Sequence, residues 1–120
     1  MQVVYTKQLI SSAPTADETR HMPIYRKLKL VDIILTPNVT TAVDGTNYMI
    51  LTVLNGSTTL AVRNNQSTAL TAGTAERLTL TSSVDLDFDD LESLKITKTH
   101  AGSGDTCNVE FAFVFDLRRA

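Results

Sequence analysis

The chain has no tryptophan, one cysteine, two histidines and no long apolar run. Each scarcity excludes something. A lone thiol, Cys107, closes no intrachain disulfide, so the fold must stand without a covalent staple, which suits assembly in a reducing cytosol. Zinc takes about three or four clustered Cys, His or acidic ligands. Here His21 and His100 are far apart and Cys107 is alone, so neither a metal nor another cofactor is expected. Without a stretch of about 18 apolar residues there is no candidate membrane helix. The opening "MQVVYTKQLISSA" carries a lysine inside its apolar part and reads as mature sequence, not a signal peptide. A net charge of −2 supplies no basic field for nucleic acid, although Arg118-Arg119 could touch a phosphate or a carboxylate. The missing tryptophan also weakens a carbohydrate-binding reading. An aromatic platform would have to come from Tyr5, Tyr25 or Tyr48, and Tyr48 lies within an expected strand.

What is present is threonine, alternating apolar residues, and Gly and Pro at intervals. The 120 residues suit one domain with one core, and 42% hydrophobic with 20% charged residues is ordinary folded composition. No segment keeps a helical apolar stripe. The clearest strand is "CNVEFAFVFDL". It places Cys107, Val109, Phe111, Phe113, Phe115 and Leu117 on one face, because strand side chains alternate. "YRKLKLVDIIL" alternates through Leu28 and Leu30 and then fails over Val31 to Leu35, where a bulge or two-sided burial is required, and Pro37 ends it. Asn55-Gly56 between two alternating runs predicts a hairpin of Tyr48–Leu54 with Thr58–Arg63. Further strands are expected at "ERLTLTS", at Val84, Leu86 and Phe88, and at "SLKITKT". Seven or eight short strands at intervals of roughly 8–12 residues point to an all-β sandwich or barrel; of the two, a single antiparallel β-sandwich of jelly-roll-like form is the expected fold.

Residues 1–22 do not fit this repeat and are read as an extended N-terminal arm, with 23–120 as the sandwich domain. The apolar end of the arm, "VVYTKQLI", could add a strand to a neighbouring subunit. The plainer reading is a frayed terminus or an edge strand of its own domain. Val3, Val4, Tyr5, Leu9 and Ile10, with Arg20 and Tyr25 at the root, form the expected subunit or partner contact.

The run "VDLDFDD" packs four aspartates into seven residues. Same-face neighbours on a strand stand about 6.6–7 Å apart. Calcium ligands must converge to about 2.3–2.6 Å, so Asp85, Asp87 and Asp89 on a straight strand cannot share one ion. A solvated acidic face that resists edge pairing is expected, with a weak cation site at Asp89, Asp90 and Glu92 as the sharper alternative. No catalytic site is expected. His100 has Ser103 and Asp105 nearby in sequence, but a triad is defined by geometry, and no G-x-S-x-G elbow is present. Cys107 opens an apolar face and reads as a buried, inert thiol. "GSG" at Gly102–Gly104 has no helix signal after it and reads as a turn, not a phosphate cradle.

The stretch from "TNYMILTVLNG" through "TALTAGTAERLTL" to "LKITKTHAGSG" resembles a β-sandwich module of tailed-bacteriophage virion proteins: head-decoration, cement or head-fibre proteins. The likeness rests on Thr46–Tyr48, Thr68–Ala75, Leu78–Leu80, Leu94–Thr97 and Ala101–Gly104, and spans roughly 39–117. Where that family often has a Gly-Asp turn, this chain has Glu92-Ser93. The resemblance implies a non-enzymatic virion protein on the capsid exterior. Its partner would be the major capsid protein, and it would commonly be a homotrimer. The competing readings are a tail or baseplate β-module, a carbohydrate-binding adhesion module and a small hydrolase.

Overall fold

The computed structural model describes residues 2–81 and 85–118; for residues 4–9 it describes the backbone only. The described residues contain no helix. They form two antiparallel sheets. The first takes the order β1 (Gln2–Ser12), β9 (Cys107–Leu117), β3 (Leu28–Pro37), β6 (Glu76–Arg77), with β7 (Asp87–Phe88) also on β3. The second runs β2 (Glu18–Pro23), β8 (Ser93–Ala101), β4 (Tyr48–Asn55), β5 (Thr58–Asn64). One apolar core lies between them.

β9 behaves as its alternation dictates. Cys107, Val109, Phe111, Phe113 and Phe115 are buried, while the intervening side chains are exposed or half-buried. Phe111 and Phe113 stack at 5.8 Å, and Phe88 meets Phe115 edge-on at 5.9 Å. Such offset and edge contacts suit the ring quadrupole. The opposite sheet covers this face, and neighbours on both sides of the strand pair its backbone. β3 is one of them, and its alternation resets at a register shift between Leu30 and Asp32, so that Leu28, Leu30, Ile33 and Leu35 all point inward.

β1 supplies the other neighbour. Residues expected to project as an arm pair instead with β9, from Gln2↔Asp116 to Ser12↔Cys107, with an irregularity between Tyr5 and Gln8. β2 pairs with β8 from Glu18↔Lys98 to Pro23↔Ser93. Both are therefore edge strands of their own domain, the plainer of the two readings of this segment. The physical reason is the edge of β9, whose N–H and C=O groups would otherwise stand unpaired along one side of a core strand.

The hairpin at Asn55-Gly56 forms as its sequence requires, with Gly56 at φ +60°. β6 and β7 are shorter than the alternation of "ERLTLTS" and "VDLDF" predicts. Leu78 still donates its N–H to the Ile33 carbonyl at 2.9 Å, but Thr81 donates its N–H to the Leu60 carbonyl at 2.7 Å, on β5 of the other sheet. By Leu86 the chain is back on β3, where the Leu30 N–H donates to it at 2.8 Å.

The connections after β1, β3, β5 and β8 gather at one pole. The turns after β2, β4 and β7 gather at the other, with Gln2 and Leu117.

Candidate functional site

Among the described residues the buried polar side chains are Thr41, Asn65 and Lys98, and all three brace the loops of one pole. Lys98 sits where strand parity puts it, two residues beyond the inward-facing Ile96 and four beyond Leu94. Its Nζ donates to the carbonyls of Ala13, Pro14 and Ala16 at 3.0, 2.9 and 2.8 Å. An ammonium has three donors, so the β1–β2 connection saturates it. A buried lysine is tolerated only when so satisfied.

Asn65 does the same for three other connections. It accepts from the Met49 N–H at 2.9 Å, and its Nδ2 donates to the Ala42 carbonyl and Asp105 Oδ2 at 2.8 and 2.9 Å. Thr41 donates to the Thr106 carbonyl at 3.3 Å and pairs by its backbone with Leu70. Arg63 grips Glu76 and also donates to the Thr68 and Ala69 carbonyls. The Asn47 side-chain oxygen accepts from both the N–H and Oγ of Ser103.

The residues these braces hold are chemically plain. Connections 13–17, 38–47, 65–75 and 102–106 contain no Lys, Arg or Glu; their charges are Asp17, Asp44 and Asp105. Each is engaged locally. Asp17 lies 2.7 Å from His100 Nδ1. Asp44 accepts from the Asn47 and Thr46 N–H groups, which hold its carboxyl below the usual range. Asp105 accepts from Asn65 and from the Thr106 N–H. Thr, Ala, Ser, Gly and the exposed Val39 and Val43 make up most of the remaining surface. Such side chains lose little rotamer entropy when covered, so a rigid face built from them is a low-cost contact surface.

His100, Ser103 and Asp105 share this pole but turn to different partners, namely Asp17, Asn47 and Asn65. They form no nucleophile–base–acid relay. Cys107 is buried, and burial pushes its thiol up to about 12, with Lys98 pulling the other way.

The aspartate run lies at the opposite pole. Asp85, Asp87 and Asp89 are exposed, Phe88 is buried and Leu86 is packed against the core; Val84 lies outside the described residues. Thr58 Oγ1 donates to Asp85 at 2.6 Å, and Arg118 reaches Asp89 at 3.2 Å and Asp87 at 3.8 Å. Among the described residues no three His, Cys, Asp or Glu side chains converge.

The expected contact residues divide. Ile10 is wholly buried in its own core, and Val3 is partly buried against it, so neither forms a free apolar arm. Val4, Tyr5 and Leu9 stand opposite Val114, Phe113 and Glu110, and their side chains lie outside the described ones. Arg20 is exposed on β2 and pairs with Glu18 at 3.3 Å. Tyr25 is 67% exposed at the pole away from the braced loops. The braces themselves were not singled out in the sequence. For Lys98 a signal existed, a lysine on the inward parity of an apolar strand. For Asn65 none did, because its partners lie 16 to 40 residues away.

No protein-family model, curated protein or solved structure matches the chain.

Proposed function

We propose that this protein is a passive docking module, a virion structural protein that decorates and stabilises the outer face of a phage head by binding its major capsid protein. The observation that carries this reading is the braced loop pole. The described part of the molecule commits its three buried polar side chains to fixing a face of small, cation-poor residues. Rigidity and low side-chain entropy favour a contact that lasts. The sequence resemblance of residues 39–117 to phage decoration proteins supplies the identity of the partner.

The sheets are proposed to be a jelly roll. The orders β1-β9-β3-β6 and β2-β8-β4-β5 support this, because the chain crosses between the sheets at every step except β4–β5 and β6–β7, and the first and last strands are adjacent.

Shells assembled from the cognate major capsid protein, mixed with the purified chain, are expected to retain it saturably in co-sedimentation and to melt at a higher temperature. Val43→Lys on the loop face is expected to weaken retention at least tenfold. Shells that neither retain the protein nor gain stability would defeat the proposal, and a clean glycan-array signal would favour adhesion instead.

A further inference from the structure

At the pole away from the braced loops, Leu91 is anomalous twice. It is 79% exposed, and it holds φ at +68°. The left-handed region is strained for a leucine, and an exposed leucine recovers nothing by burial. Its position is fixed: the Leu91 N–H donates to the Ile24 carbonyl at 2.7 Å, and the Ile24 N–H donates to the Glu92 carbonyl at 2.8 Å. Leu91 is thereby held close to Tyr25, which is 67% exposed. No other large apolar side chain among the described residues is as exposed as these two. Beside them Arg26, Lys27, Asp90 and Arg118 line an open depression of about 470 Å³ with Tyr25 and Leu117.

The charges there decide what fits. Arg26 and Lys27 are exposed next to Tyr25, and Asp89, Asp90 and Glu92 are exposed around Leu91. An acidic partner would set carboxylates against Asp90 and Glu92. A basic one would set cations against Arg26 and Lys27. A second copy of this chain brings both signs, and a two-fold axis places each half of the patch against its opposite.

We infer that copies of this chain meet through this pole, with Tyr25 and Leu91 at the centre of the contact and the two charged halves crossing over it. Exposed Tyr and Arg beside an apolar anchor are the residue types that carry binding energy at interfaces. Size bounds the contact. β9 has 11 residues, spanning about 36 Å, so the 46 Å axis runs with the strands and the pole measures 26 × 22 Å. Full use of it covers roughly 600 Å² per copy, or about 1,200 Å² in total, the lower bound for a stable interface. Interfaces near that bound are commonly transient, and association is expected in the micromolar range. It does not depend on the shell reading, because it concerns the protein alone.

The test is sedimentation velocity of the full chain from about 1 to about 100 μM. Wild type is expected to shift from monomer to dimer across that range. Leu91→Gly is expected to weaken association at least tenfold without lowering the melting temperature, since glycine accepts the backbone angle. Tyr25→Ala is expected to weaken it similarly. Arg26→Glu and Asp90→Lys should each weaken it alone, and an equimolar mixture of the two should restore it, a result that does not depend on the Leu91 variant folding. A wild type that stays monomeric at about 100 μM overturns the inference. So does an oligomer of any order that survives both Leu91→Gly and Tyr25→Ala.

Discussion

The ammonium of Lys98 on β8 lies 2.9 Å from the carbonyl oxygen of Pro14, 84 positions earlier in the chain. With the Ala13 and Ala16 carbonyls it makes a buried cation the fastener of the β1–β2 connection. Replacing Lys98 with Met keeps the bulk and removes all three donors. The loss is expected to be about 2–4 kcal/mol, because charged hydrogen bonds are broken and their acceptors stay partly buried. Guanidinium unfolding measures it, and amide exchange should rise at Ala16 and its neighbours.

Gly104 closes against the same loop. A Cβ there would stand 2.0 Å from the Pro14 carbonyl oxygen, at φ +72°. A Cβ at Gly73, where φ is +75°, would meet nothing within 4 Å among the described residues. Gly73→Ala is therefore expected to cost about 1 kcal/mol, from backbone strain alone, and Gly104→Ala about 3 kcal/mol or more. Thermal melts of the two variants should separate plainly.

Cys107 gives a pH signature. Its native thiol keeps its proton up to about 12, against an ordinary value of 9.0. Between those values the unfolded chain binds fewer protons than the native one, so stability falls as pH rises, by at most about 1.4 kcal/mol per unit. Denaturant midpoints in mildly and strongly alkaline buffer should drop more for wild type than for Cys107→Ala. Iodoacetamide should label the thiol only after unfolding.

Asp44 acts at the other end of the scale. The Asn47 and Thr46 N–H groups lower its carboxyl below the ordinary 3.8. Its stabilisation is therefore complete above that ordinary value and is lost as pH falls through the lowered native one. Wild type is expected to be more stable than Asp44→Ala at neutral pH, with the gap closing in strong acid. A gap that stayed constant with pH would refute the assignment.

Ser12 stands opposite Cys107, and its Oγ is buried with no hydrogen-bond partner among the described residues. Ser12→Ala removes an unsatisfied polar atom and is expected to be neutral or to stabilise by up to about 1 kcal/mol in chemical denaturation.

Much of the framework was legible in the residues because one physical rule, alternate side chains on alternate faces, governs each strand separately. Cys107 through Phe115 and the turn at Asn55-Gly56 obey it with no help from elsewhere. The failed alternation after Leu30 marked a real register shift. The rule says less where a strand's partner decides its length. The residues after β6 keep an alternating pattern, yet the chain swings from β3 to β5 at Thr81 and pairing stops. It also cannot say which edge a terminal segment takes, so residues 2–12 looked like an arm. The braces and the Tyr25–Leu91 patch were hidden for a further reason. Asn65 and Leu91 are ordinary letters in sequence, and their roles come from groups that only folding brings near.

Gln2 stands opposite Asp116, and Leu28 opposite Leu117. Anything grafted before the first strand or after the last one therefore emerges on the Tyr25 side. A bead tethered there would mask that patch and present the threonine-rich loops outward. A permuted chain, with those neighbouring ends spliced and a new opening cut at Gly73, would reverse the presentation without altering either sheet.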